Sequence, residues 1–368
     1  MTRTDAPRFD DLLLLRKGGR HLTLGGGPCH VAPARTPVEW RLKTEALRAI
    51  LLQTLGRAPD VRPPLALRVE GTVDRGDHIE RRVSYLVEPD ERVAALVLLP
   101  KGARARRPAA LCIHSTHDHG MLEVVGRGER VGISPAANRA YALMLVRRGF
   151  IAFAPELLGS GERRFRGRVA FDNQPLFKKH PEWSGLGKDL WDLRAALDVL
   201  ERIPGVDPRR IASVGHSQGA GLTVHLMALD SRIRAGVANC GWWPFRASKN
   251  PFNAARTGWW TGRPALRPFC WAGKPMPIDL HEVLALSSPR PLLLVHALND
   301  GGFTPREAPR SHAMWRALAR EVSRVDRLLG APRRLRLELH LRGHDFPPEV
   351  RARAWSFLDA ALGPPPSP

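Results

Sequence analysis

The chain has 368 residues, with 43% hydrophobic and 25% charged. That is ordinary globular usage, and the length suits one large domain or two small ones, so wholesale disorder, coiled coil and collagen are excluded. Lys plus Arg total 57 against 36 acids, a formal charge of +21, and 49 of those bases are Arg.

The Arg residues are scattered. The tightest clusters are Arg104, Arg106 and Arg107; Arg163, Arg164, Arg166 and Arg168; and Arg333, Arg334 and Arg336. None is interleaved with base-stacking aromatics, so no specific nucleic-acid partner is expected and the charge reads as a solvated basic surface. The first apolar run, Leu12 to Leu15, is far too short for a signal-peptide core, and no later run reaches the roughly 18 residues of a spanning helix. The expectation is a soluble, cytoplasmic protein with no membrane partner. Cys29, Cys112, Cys240 and Cys270 lack the paired short spacing of a zinc or redox motif. Cys112 and Cys240 read as small buried hydrophobes.

Residues 1–37 are rich in Gly and Pro and read as irregular. Val38, Trp40, Leu42, Ala46, Leu47, Ile50, Leu51 and Leu55 then recur at helical spacing, and Gly56 closes that helix. Three β-like runs follow, at 67–73, 79–87 and 93–99, as an antiparallel meander. From residue 109 short apolar strands alternate with helices. Strands are expected at 109–113, 150–154, 211–214, 233–237, 291–295 and 335–341. Helices are expected at 136–147, 219–229, 307–325 and 348–362. Another helix carries Leu190, Leu193, Leu197 and Leu200 as its apolar stripe, with Asp189, Asp192 and Glu201 off it, and ends at Ile203 before Pro204. This alternation predicts a mostly parallel central sheet with helices on both faces. Residues 1–90 read as an N-terminal extension packed on the core. Residues 91–363 form the main domain, with a Trp-rich insertion at 241–287, and 364–368 a frayed tail.

The strongest chemical signal is Gly215-His216-Ser217-Gln218-Gly219. It follows a predicted strand and opens a predicted helix, the context of a nucleophile elbow. Both flanking glycines let strand and helix approach, which pushes the Ser217 side chain out above the sheet. A serine hydroxyl needs a base, and the base an orienting acid. Asp300 lies just past the strand at 291–295, and His344 just past the strand at 335–341, where parallel sheets place their sites. Asp345 reads as a cap for the last helix. The backbone amides of Gln218 and Thr116 are the expected oxyanion donors, with Ser115 as second choice for the latter. Trp242, Trp243 and His216 are candidates to contact substrate.

The run His114-Ser115-Thr116-His117-Asp118-His119 offers an alternative, a metal-dependent hydrolase. It misses the His-x-His-x-Asp-His signature of dinuclear hydrolases, because Thr116 stands where the middle His belongs. A third possibility is a non-catalytic, polyanion-binding module.

With these residues placed, the chain resembles the α/β-hydrolase superfamily, and within it the acetyl-xylan-esterase-like and dienelactone-hydrolase-like branch. The resemblance runs from about residue 38 to 362. It is carried by the elbow and by four local stretches: Arg107 to His114; Ala154-Pro155-Glu156 leading to Gly159–Arg163; Met276 to Val283; and Gly343 to Val350. It implies an α/β-hydrolase fold, with Ser217 as nucleophile, Asp300 as acid and His344 as base. The activity implied is hydrolysis of a small carboxylic ester such as an acetylated sugar, through an acyl-enzyme. Amide, peptide or lactone bonds are the alternative substrates of the same triad. No cofactor and no metal are implied.

Overall fold

The computed structural model describes residues 9, 11–16, 30–102, 105–127, 136–248, 255, 262–301 and 312–365. The elements, in chain order, start with strands β1 (Leu14–Arg16) and β2 (His30–Pro33) and helix α1 (Pro37–Leu55). Strands β3 (Arg68–Asp74), β4 (His78–Glu88), β5 (Glu91–Pro100) and β6 (Arg107–Ile113) follow. Next come α2 (Tyr141–Arg147), β7 (Ile151–Pro155), α3 (Gln174–Lys179), α4 (Gly185–Leu200), β8 (Val206–His216), α5 (Gln218–Leu229) and β9 (Ile233–Asn239). The chain continues through α6 (Arg267–Trp271), α7 (Leu280–Ala285), β10 (Leu292–Ala297), α8 (His312–Leu328), β11 (Leu335–His340) and α9 (Pro348–Leu362).

Nine strands form one sheet in the order β11-β10-β9-β8-β6-β7-β5-β4-β3. The six strands from β7 to β11 by way of β6 run parallel, and β5, β4 and β3 add antiparallel strands at one edge. The expected meander is therefore continuous with the main sheet. β4 and β5 pair in register across residue 90, from His78 opposite Pro100 to Glu88 opposite Glu91.

The alternation of side chains in β6 shows how the layers form. Ala109, Leu111 and Ile113 pack with α1, α4, α5, α7 and α8 on one face. Ala110 and Cys112 pack with α2 and α9 on the other. A strand covered on both faces is apolar throughout, which is why this run reads so clearly in the sequence. Helix α1 starts where Thr36 and Glu39 form a capping box and Pro37 takes the first position. It ends at Gly56, whose φ is +79°, and a Cβ there would lie 2.1 Å from the Glu182 carbonyl oxygen.

Several expectations are corrected. Residues 1–37 are not wholly irregular, because β1 and β2 pair antiparallel. The helix expected from 136 is one 3-10 turn at 136–139 followed by α2. The insertion contains the regular helix α7, which starts at a capping box between Asp279 and Glu282 and is buried along its length. Helix α8 continues to Leu328, past the expected end at 325; 307–311 lie outside the described residues. Asp189 and Asp192, off the apolar stripe of α4, are nonetheless buried. Asp192 sits in a charge network, where Arg163 reaches it at 2.6 Å and Lys188 reaches it at 2.6 Å and Glu91 at 3.0 Å, while Asp189 accepts from the Leu158 amide at 3.1 Å. Among the described residues no helix is long and apolar enough to cross a membrane.

Candidate active site

Five of the parallel strands end in residues that face one rim. β8 ends at His216, and Ser217 follows as the cap of α5, with φ +56° and ψ −116°. A non-glycine residue held there is strained, and surrounding contacts must enforce it. They do: the Ser217 amide donates to the Asn239 carbonyl at 2.8 Å, and the Ser217 carbonyl accepts from the Ala220 and Gly221 amides. The glycines make room. A Cβ on Gly215 would lie 2.1 Å from the Gly219 carbonyl oxygen, and one on Gly219 would lie 1.9 Å from the Ile113 oxygen.

Two loops away, Nδ1 of His344 lies 2.8 Å from Oδ2 of Asp300. His344 is tied to the elbow by packing, with its ring centroid 4.6 Å from that of His216. His216 is in turn held by Asn239, whose Nδ2 lies 2.8 Å from His216 Nδ1 and donates to the Asp345 carbonyl at 2.9 Å. Burial pushes the His216 imidazole well below its usual range, and the neighbouring His344 adds to that, so His216 stays neutral.

On the opposite side of Ser217, the loop after β6 brings Thr116 against the elbow. The Thr116 hydroxyl donates to Gln218 Oε1 at 3.4 Å. Gln218 opens α5, so its amide has no acceptor one turn back in the helix. The Ser115 amide is engaged: it donates to Glu123 Oε2 at 2.9 Å, and the Ser115 hydroxyl bonds the same carboxylate. The Ser115 amide is thus committed to Glu123.

The remaining predicted residues separate. His216, expected to contact substrate, is fully buried, and its ring packs against that of His344. Trp242 lies over α5, where a Cβ on Gly221 would meet its ring at 2.4 Å, and its ring stacks edge-on against His225 at 4.8 Å. Trp243 packs against the main core. Asp345 does not cap the last helix, where Pro347 takes that position. Its carboxylate accepts instead from the Phe346 amide and, at 2.7 Å, from the Asn138 side chain.

His114, His117, Asp118 and His119 do not form a metal cluster. Among the described residues, two other groups gather ligand-type atoms within 4.8 Å: Cys240, Asp300 and His344, and Asp11, His281 and Glu282. In the first, burial raises the Cys240 thiol and keeps it protonated. In the second, Asp11 binds His281 Nε2 at 2.8 Å and Arg246 at 3.3 Å, an ion-pair cluster that fastens residue 11 to α7. His114 is buried, with Nδ1 2.7 Å from the Ser115 carbonyl and Nε2 3.2 Å from Glu156 Oε1.

Two residues that hold this site in place escape a reading of the sequence: Asn239 and Glu123. Asn239 ends β9, a position that can be anticipated from the strand pattern. Glu123 reaches Ser115 across a loop and carries no local signal.

The family model described as "Abhydrolase family" matches residues 28–242, more than half of the chain. Protein YtaP of Bacillus subtilis (strain 168) is 28% identical over 196 residues, 52% of this chain and 62% of YtaP. The match thus spans less than two thirds of that curated relative. A glucuronoyl esterase from Solibacter usitatus superposes with a TM-score of 0.74 at 19% identity, covering 98% of this chain and 100% of that one. Acetyl xylan esterase 1 from Thermoanaerobacterium sp. JW/SL YS485 gives 0.51 at 14% identity, covering 84% and 92%. These likenesses establish the α/β-hydrolase fold.

Proposed function

Because the chain belongs to the Abhydrolase family, we propose that it is a serine carboxylic-ester hydrolase that works through Ser217, His344 and Asp300. The observation that carries this reading is the 2.8 Å contact between His344 Nδ1 and Asp300 Oδ2, packed against the residue that precedes a strained, elbow-held serine. With Nδ1–H donating to Asp300, His344 Nε2 is left as the base. It takes the Ser217 proton as the oxygen attacks the ester carbonyl. The resulting oxyanion is held by the amides of Gln218 and Thr116. His344 then gives the proton to the leaving alcohol, and the acyl group remains on Ser217. Water, activated by the same imidazole, attacks the acyl-enzyme and releases the acid. His344 passes the water's proton to the Ser217 oxygen as the acyl bond breaks, which restores the free enzyme, and the cycle needs no cofactor.

The substrate class follows from the similar structures, one a glucuronoyl esterase and the other an acetyl xylan esterase. Both names point to esters of sugars, so a carbohydrate ester is the substrate proposed here. The test is turnover of p-nitrophenyl acetate, acetylated xylose and a glucuronate methyl ester by the wild type and Ser217→Ala. Hydrolysis of one of the sugar esters, lost in Ser217→Ala, supports the proposal. Equal rates in the two proteins overturn it.

A further inference from the structure

Helix α4 carries a carboxylate to the back of the proposed oxyanion pocket. Asp189 is 1% exposed. Its Oδ1 accepts from the Leu158 amide at 3.1 Å, and its Oδ2 accepts from Gln218 Nε2 at 3.4 Å. The other end of the same carboxamide accepts from the Thr116 hydroxyl at 3.4 Å. A chain of contacts therefore runs from the helix through the residue after the proposed nucleophile to the opposite loop.

We propose that Asp189 is a positioning residue for the oxyanion pocket, locking the Gln218 carboxamide so that it ties the Thr116 loop to the first turn of the nucleophile helix. The proposal rests on the reading of Ser217 as nucleophile, and it adds a residue that touches no substrate. The argument is one of donors and acceptors. An ionised carboxylate only accepts. Facing it, Gln218 must turn its NH2 group toward Asp189 and its carbonyl toward Thr116. The Thr116 hydroxyl then donates, which ties the Thr116 loop to residue 218. If Asp189 takes up a proton, it becomes a donor toward Gln218 and the carboxamide must turn over. The Thr116 hydroxyl must then reverse from donor to acceptor, and the loop is held in a second arrangement instead of the one that aims its amide beside that of Gln218.

The ionisation falls in an accessible range. Burial pushes the Asp189 carboxyl up to about 7; the Leu158 amide and the charges of Arg163 and His114 pull it down, and Asp192 pushes it up. Lys188, the preceding residue of α4, is occupied by Asp192.

The experiment is kcat for p-nitrophenyl acetate from pH 5.5 to 8.5, in the wild type, Asp189→Asn, Gln218→Met, the double variant and Ser217→Ala. Removing an oxyanion donor outright costs about 10²–10³ in kcat, and loosening one should cost less, about tenfold. At pH 8 both single variants are expected to be about tenfold slower than wild type, with KM little changed. The double variant is no slower than either single one, because both act through one carboxamide. The ratio of wild type to variant closes toward one as pH falls through 7, where the wild type loses its own lock. Should Asp189→Asn accumulate poorly, Gln218→Met carries the same pH-dependent ratio alone. A ratio independent of pH, or additive losses in the double variant, overturns the proposal and leaves the ester-hydrolase reading intact. Wild-type rates in Ser217→Ala overturn that reading instead.

Discussion

His344 and Asp300 meet at 2.8 Å although 44 residues separate them, because the strands before them, β10 and β11, are neighbours paired from Leu292 opposite Leu335 to Ala297 opposite His340. The sheet register sets the two loops side by side. If Asp300 holds His344 in the Nδ1–H tautomer, Asp300→Asn leaves the contact but favours the wrong tautomer. The expected loss in kcat is about 10⁴-fold, with KM for p-nitrophenyl acetate nearly unchanged. Steady-state kinetics decide it, and a loss under tenfold removes Asp300 from the proposed triad.

The elbow makes a second prediction, about folding. A Cβ on Gly219 would lie 1.9 Å from the Ile113 oxygen and 2.8 Å from the His114 oxygen, both backbone atoms that cannot swing aside. By contrast, a Cβ on Gly71 in β3 would meet nothing within 4 Å. Gly219→Ala is expected to lower the thermal midpoint sharply or to prevent soluble accumulation. Gly71→Ala is expected to stay within about 0.5 kcal/mol of wild type. Equal melting curves for the two variants would show that α5 can move away from β6.

The contrast between these glycines also marks what a sequence discloses. Gly215, Ser217 and Gly219 lie within five residues, and their spacing encodes a local turn, so the elbow is legible at once. Asp300 and His344 are legible one step later, because apolar runs covered on both faces announce the strands before them. Asp189 is not legible. Its position off the leucine stripe of α4 reads as solvent-facing, and only the packing of Arg163, Lys188 and the loop at Leu158 turns that side inward. Likewise His216 sits inside the motif, yet its burial under His344 depends on which loop follows β11. Periodicity reports a helix face as apolar or polar. It does not report what later segments will cover.

Trp242 supplies a third prediction. Its ring fills the space that Gly221 leaves open and stacks against His225. Truncating a half-buried ring of that size costs about 2 kcal/mol or more, several degrees in melting temperature. Trp242→Ala is therefore expected to melt earlier while KM for p-nitrophenyl acetate stays within about twofold. A KM raised tenfold at unchanged melting temperature would make the ring a substrate contact instead.

The last prediction concerns pH and stability. Burial pushes the Asp189 carboxyl up to about 7 in the folded chain, from an ordinary value of 3.8. Its sign differs from that of a salt-bridged acid. Between about pH 4 and 7 the unfolded chain has released this proton while the folded chain still holds it. Raising the pH through that window therefore favours unfolding, and above 7 the penalty stays constant. Asn at position 189 has no proton to release, so the variant escapes the penalty. The unfolding free energy of Asp189→Asn minus that of wild type is expected to grow from pH 5 to pH 8, by an amount on the order of 2 kcal/mol, and the melting-temperature difference grows with it. Differential scanning calorimetry of both proteins at the two pH values measures it. A difference that stays constant or shrinks means the carboxylate is better satisfied when ionised than its burial implies. A growing difference, beside a slower enzyme at pH 8, is the pattern of a buried charge kept at the expense of stability because it orders a working site.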